Sequence, residues 1–361
     1  MKKKHFFLIK KILVFITCFG LCSFSACSDS SIPTPQETSV QSETTDNHAE
    51  SSLNVNGSLE EKDPPEDFFL SEETIHEEPV PSAKPTDTTG QRDNTPVCLV
   101  PSATGEIVYG NELASLDASN TRDGYLCANY TGTCSKVKLQ ITGPDQVTYT
   151  YNLRGNLYET FPLTGGNGLY SIGIYENITG NTYATAFFQE IMVTLENEFS
   201  PFLYPSQYVN FTPESETVAK AKQLAASANT DLDVVSNIYN YVISNVTYDY
   251  DKASNVASGY ICDVDETLRT GTGICLDYAS LMASMLRSQG IPTHLEVGYA
   301  QDAYHAWIST YVDEIGWING IIEFDGTNWS LVDPTFAANS SEKSLKKFIG
   351  DGSNYTVKYV Y

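Results

Sequence analysis

Between residues 105 and 196 the apolar positions recur with a period of two. Val137, Leu139 and Ile141 alternate with Lys138 and Gln140, Gly143-Pro144-Asp145 follows, and Val147, Tyr149 and Tyr151 alternate with threonines. Successive strand side chains point to opposite faces, so this is a strand, turn, strand pattern with one face buried. Residues 169–178 and 183–195 repeat it across the turn Asn177-Ile178-Thr179-Gly180-Asn181. No helical period interrupts the stretch, and a small all-β, sandwich-like domain over 95–204 is expected. It contains no histidine, and its expected role is a spacer, a substrate-binding module or a partner surface.

The period then changes. Thr212-Pro213 reads as an N-cap followed by a first-turn proline, and Val218, Ala221, Leu224 and Ala225 carry a helix to about residue 228. A second helix is expected from about 231 to 244, with Val234, Val235, Ile238, Tyr241 and Val242 on one stripe. After an irregular stretch, Leu276, Ala279, Ala283 and Leu286 recur at spacings of three and four before Gly290 and Pro292. That predicts a helix over 275–288 with a glycine stop. Short strands are expected at 294–300, 305–312, 321–325 and 329–333. A helix at 342–349 and a strand at 355–361 close the chain and are expected to cover an edge of the sheet. Residues 205–361 thus read as an α+β domain, one helix packed on an antiparallel sheet.

The N-terminal residues change the picture. Lys2, Lys3 and Lys4 precede an apolar run from 12 to 22, the layout of an export signal. About eleven residues cover about 16 Å as a helix, roughly half of a bilayer core, so the segment is expected to be processed rather than retained. It ends Phe24-Ser25-Ala26-Cys27, which resembles the lipobox of bacterial lipoproteins, with Phe24 where that family carries an aliphatic residue. The resemblance implies that 1–27 is a signal peptide plus an anchor cysteine, Cys27, exported and lipid-anchored at the extracellular face of the bacterial cell membrane. From 28 to 94 the chain is rich in Ser, Thr, Pro and Glu, with 16 acidic residues against Lys62, Lys84 and Arg92. Such a segment buries too little to offset its ordering entropy and reads as a disordered stalk.

Charge excludes one class of partner. With 45 acidic and 21 basic residues, a net −24, the chain has no electrostatic means of holding a phosphate backbone, so no nucleic-acid partner is expected. Gly271-Thr272-Gly273 lacks the lysine of a phosphate loop, and its glycines are expected to relieve crowding beside a passing substrate. Asp263, Asp265 and Glu266 match no calcium loop and read as a solvated acidic turn. His294 reads as a packing residue. No cofactor and no metal are implied, and a monomer is expected.

Eight cysteines fall at 18, 22, 27, 98, 127, 134, 262 and 275. Beyond the signal and anchor five remain, an odd number, so at least one thiol is free or intermolecular. Cys127 with Cys134, or Cys98 with Cys262, could pair, and reduced thiols are the alternative. Cys275 stands at a predicted helix start, where aligned amides favour the thiolate. His305 opens a predicted strand and Asp333 closes another just before Pro334, so a nucleophile, base and orienter come from three elements. Buried packing residues are the competing reading of Cys275 and His305. Tyr248, Tyr250 and Tyr260 are the upstream hydroxyls considered as oxyanion donors.

The segments GTGICLDYASLMASMLRSQGIPTHLEVGY, YHAWI and NWSLVDPTF resemble, in that order, the core motifs of the transglutaminase-like superfamily. The likeness covers about residues 205–340. It implies a papain-like α+β core, with Cys275 as nucleophile, His305 as base and Asp333 as its orienter. It also implies an acyltransferase or hydrolase acting through a thioester on a protein or peptide carboxamide or amide bond. The expected partners are envelope or extracellular proteins and peptides, cell-wall peptides among them. The alternatives are a cysteine protease, a peptidoglycan-directed amidase, or a non-catalytic surface-binding module. The run 313–328 is longer than the hairpin usual in the family and is expected to hold an extra strand pair.

Overall fold

The computed structural model describes residues 92–300, 303–313, 315–319, 322–324, 329–331 and 355–361. Cys27, the stalk up to residue 91, Asp333 and the helix expected at 342–349 lie outside the described residues.

The chain first forms β1 (Val108–Gly110), β2 (Ala114–Asp117), β3 (Tyr125–Tyr130), β4 (Val137–Thr142), β5 (Thr148–Leu153), β6 (Glu159–Pro162), β7 (Gly168–Thr179) and β8 (Thr182–Val193). These make two four-stranded sheets, ordered β1-β2-β3-β6 and β5-β4-β7-β8, with every neighbouring pair antiparallel. The period of two becomes burial: Val137, Leu139 and Ile141 of β4 and Tyr149, Tyr151 and Leu153 of β5 point inward. Tyr151 of one sheet meets Phe161 of the other at 4.8 Å between ring centroids, so the inner faces share one apolar layer.

Helices follow: α1 (Glu216–Ala225) and α2 (Asp231–Asn245), then β9 (Thr247–Tyr248), α3 (Tyr250–Asn255), α4 (Val264–Thr270), β10 (Thr272–Gly273) and α5 (Cys275–Arg287). Helix α1 starts later than Thr212-Pro213 predicts. Residues 212–215 form a turn closed by the Ser215 N–H on the Thr212 carbonyl at 3.0 Å, and Ser215 is the cap. The first free amides, Glu216 and Thr217, donate to the carboxylate of Asp265 at 3.1 and 2.8 Å. Asp265 is therefore a helix cap rather than part of a solvated turn, and Asp263 caps α4 by accepting from the Glu266 N–H. Helix α2 begins where expected, at a capping box between Thr230 and Asp233. Its buried stripe takes Tyr239 in place of Tyr241, and Tyr241 lies at the flank under the Lys220 ammonium, 5.0 Å from its ring centre.

Helix α5 is buried on nearly every side from Asp277 to Arg287. It packs against α1, α2 and α4 on one side and against β11 (Thr293–Ala300) and β12 (Ala303–Val312) on the other. Leu281, Met282 and Leu286 have no exposed surface, each stabilising the fold by about 1.5–3 kcal/mol. The long run after β12 contributes β13 (Gly316–Asn319), which pairs with β12, while β14 (Ile322–Phe324) pairs with β15 (Trp329–Leu331). The run thus holds two strands, as expected, but they pair with β12 and β15 rather than with each other. The last strand, β16 (Tyr355–Val360), lies on the far side of β11, giving the order β13-β12-β11-β16.

Two clusters tie this sheet to its surroundings. Tyr361 places its ring 5.4 Å from Tyr149, 5.9 Å from Tyr151 and 4.7 Å from Tyr208, so the C-terminal residue packs on the inner face of β5. Arg287, fully buried, donates to the carbonyls of Thr293 (3.0 and 2.7 Å), Tyr204 (2.8 Å) and Tyr361 (2.7 Å). At the start of the described chain, Arg92 binds Asp231 at 2.6 Å and the Gln289 carbonyl at 2.6 Å.

Candidate active site

Cys275 is the first residue of α5, half-buried. Three ties hold it there. The parallel pair β9 and β10 fixes the chain just before it, with Thr247 N–H on Gly271 O at 2.8 Å and Asp249 N–H on Gly273 O at 2.9 Å. The Tyr278 hydroxyl donates to the Val246 carbonyl at 2.6 Å. The Asp277 carboxylate folds back to accept the Ile274 N–H at 2.8 Å. The helix therefore presents its free first-turn amides at Cys275 from a fixed position, where they favour negative charge on sulfur.

Asp277 is fully buried and carries more than the cap. Its Oδ2 accepts from Lys252 Nζ at 2.6 Å, and its Oδ1 accepts from the Tyr260 hydroxyl at 2.7 Å. Lys252 also donates to the Tyr260 oxygen at 2.7 Å and lies 4.5 Å from the centre of that ring. Lys252 is presented by α3, whose cap Asp249 accepts the Lys252 N–H at 2.8 Å. With its proton committed to Asp277, Tyr260 is not placed as an oxyanion donor. Neither Lys252 nor Asp277 stands out in the sequence, although an acidic residue at the third position of an apolar helix is a local signal for one.

The two glycines before the cysteine serve the same construction. Gly271 closes α4 in the left-handed region, φ +63°, and a side-chain carbon there would lie 2.7 Å from the Asn245 carbonyl oxygen. A side-chain carbon on Gly273 would lie 2.6 Å from Asp277 Cβ. Gly271 thus makes room for the end of α2, and Gly273 for the Asp277 side chain that caps α5.

Burial, and then the charge of Cys275, push the ionisation of the Tyr248 hydroxyl up. Burial, three neighbouring tyrosines and Cys275 push that of Tyr304 up to about 12. Tyr248 and Tyr304 thus lie within electrostatic reach of the sulfur, and Tyr304 does not stand out in the sequence. Burial also raises the thiol of Cys98. Burial raises Cys127 to about 11 and, with Asp277 adding to it, raises Cys262 further. All five cysteines from 98 onward are unpaired thiols.

His305 lies on β12, 7% exposed. Ala306 and Ile308 of β12 join the apolar core, and His305 and Trp307 occupy the alternate positions along the strand. There the His305 ring lies 6.1 Å from Trp307 and 6.5 Å from Tyr355. His294 packs between Phe202, at 4.0 Å, and Trp317, at 3.6 Å between ring centres, with Glu296 Oε1 3.4 Å from its Nδ1. Among the described residues no group of three or more His, Cys, Asp or Glu side chains is placed to hold a metal ion.

The fold and this site define a mixed α+β protein in which a cysteine opens a buried helix packed on an antiparallel sheet. Residues 218–320 match the model of the Transglutaminase-like superfamily. The UPF0252 protein of Methanocaldococcus jannaschii is 29% identical over 114 residues, covering 28% of this chain and 32% of that protein. The chain thus spans about a third of that curated relative. A structure of a candidate cysteine protease from Cytophaga hutchinsonii is similar at 17% identity and a TM-score of 0.29, covering 63% of this chain and 79% of that one. A structure of a TGase is similar at 19% identity and a TM-score of 0.27, covering 49% of this chain and 48% of that one.

Proposed function

We propose that the protein is a lipid-anchored cysteine hydrolase that cleaves amide bonds of peptides through a thioester on Cys275. The observation that carries this reading is Cys275 at the first turn of a helix pinned by Asp277, Tyr278 and the β9/β10 pair. In this scheme the Cys275 sulfur attacks the carbonyl carbon, His305 takes the thiol proton and returns it to the leaving amine, and Asp333 orients the imidazole. His305 and Asp333 are assigned on their motifs and their order in the chain. The Cys275 N–H is one donor to the oxyanion.

Hydrolysis is favoured over transfer to a second amine because the site is open. Cys275 is half-buried, and Tyr304, within electrostatic reach of it, is 61% exposed. Water therefore reaches a thioester formed there, whereas efficient transfer to an amine requires its exclusion. A cross-linking or deamidating acyltransferase is the second reading. Mass spectrometry of the full chain with glutamine peptides, envelope proteins and cell-wall peptides should find an acyl adduct on Cys275 and products that have gained water. Lysine-linked products would select the second reading. Turnover unchanged in Cys275→Ala would reject both.

The lipobox-like end supports a location of this activity at the outer face of the membrane, tethered through Cys27 and the acidic stalk. Two acyl chains suffice for stable anchoring where one is marginal. Cys27→Ser should move the protein from the membrane fraction to the soluble fraction after a carbonate wash, and retention in the membrane would reject the anchor.

A further inference from the structure

We propose that Lys252, Asp277 and Tyr260 form a positioning unit for the nucleophile, in which Asp277 fixes the first turn of α5 and Lys252 cancels the charge that this brings to Cys275. The inference rests on the reading of Cys275 as nucleophile and deepens it.

The argument starts from an electrostatic conflict. A carboxylate at the third helix position is a good cap and aligns with the helix dipole. Here, however, it is fully buried and two residues from the cysteine on the same turn. An uncompensated negative charge in a low-dielectric site opposes a thiolate nearby, working against the amides that favour it. Lys252 resolves the conflict by contacting Asp277 Oδ2 directly, at 2.6 Å, with 29% of its side chain exposed. Tyr260 takes the other oxygen. With the Ile274 N–H, the carboxylate then has three donors and no unpaired charge. The loop 247–260 is shaped for this task, since Asp249 both extends β9 toward β10 and caps the helix that presents Lys252.

Among the described residues, the following titratable groups lie toward this region. Tyr248 of β9 and Tyr304 of β12 are within reach of Cys275, Cys262 and Tyr260 face Asp277, and His305 lies on β12, the strand packed on α5. Lys252 is the cation bonded to Asp277. Removing one charge of the pair should therefore shift the thiol in one direction, and removing the other should shift it in the opposite direction.

The test is the rate of Cys275 alkylation by iodoacetamide against pH, read by peptide mapping on the full chain. Lys252→Met should move the profile to higher pH and slow labelling at neutral pH by on the order of tenfold, one unit of apparent pKa. Asp277→Asn, which keeps an acceptor for the Ile274 N–H, should move it to lower pH. The double variant should return near the wild-type profile, a rescue that a purely structural role does not produce. Lys252→Arg, which keeps the charge, should leave the profile in place and remains informative if Lys252→Met fails to fold. Single variants that shift in the same direction, a double variant no closer to wild type than Lys252→Met, or a Lys252→Arg profile displaced like a charge loss would overturn the proposal. Because the readout is the thiol itself, it is separable from the functional reading: loss of the hydrolase assignment would appear as turnover unchanged in Cys275→Ala.

Discussion

His305→Ala should slow acylation of Cys275 by a factor on the order of 10²–10⁴, the usual contribution of a positioned general base. The residue is nearly buried and packed beside Trp307 and Tyr355, so the substitution leaves a cavity, and thermal unfolding must be compared alongside. His305→Gln is the closer control, since it keeps polarity and much of the volume but takes no proton. If His305 is the base, wild-type acylation falls as pH drops through the imidazole range, and both variants lose that limb. Asp333→Asn keeps the shape of the orienting group and removes its charge, and its expected effect on acylation has the same sign. Pre-steady-state acylation measured by mass spectrometry across pH 5–9 distinguishes these outcomes. Near-native acylation in His305→Gln, with the acid limb intact, would remove His305 from the mechanism.

Arg287→Leu should lower the stability of the fold by about 3 kcal/mol or more, in a class of proteins stable by only about 5–15 kcal/mol. Burial pulls the Arg287 guanidinium down to about 9, so it remains charged at neutral pH, and among the described residues it donates to carbonyl oxygens. Leucine fills part of the space but takes a donor from the carbonyls of Tyr204 and Thr293, while the Tyr361 carbonyl keeps the Leu295 N–H. Each unsatisfied buried group costs about 1–3 kcal/mol, partly offset because a charge no longer has to be desolvated. Lysine should recover little, since one ammonium does not reproduce the planar fork that reaches three carbonyls from one point. The loss should be local first. Tyr361 is tied to both Arg287 and Leu295, so limited proteolysis should release the C-terminal strand before the fold melts. Urea unfolding with an unchanged midpoint, or a C-terminus as protected as in the wild type, would contradict this account.

The local periodicities were legible in the sequence. Alternation in β4 and β5, the stripe and capping box of α2 and the placement of Cys275 at the start of α5 depend on residues within a few positions of one another. Tertiary structure decided the features that depend on remote partners. Helix α1 starts at Ser215 rather than Thr212 because its first amides find Asp265, 49 and 48 positions further along. Asp277 becomes a neutralised cap only when the loop carrying Lys252 and Tyr260 folds over it, 25 and 17 residues away. Arg287 finds its carbonyls on segments as far off as Tyr204 and Tyr361. A hydrophobic period reports which face of an element is buried, but a buried charge is stable only where separate segments converge on it, and that convergence is a property of the folded chain.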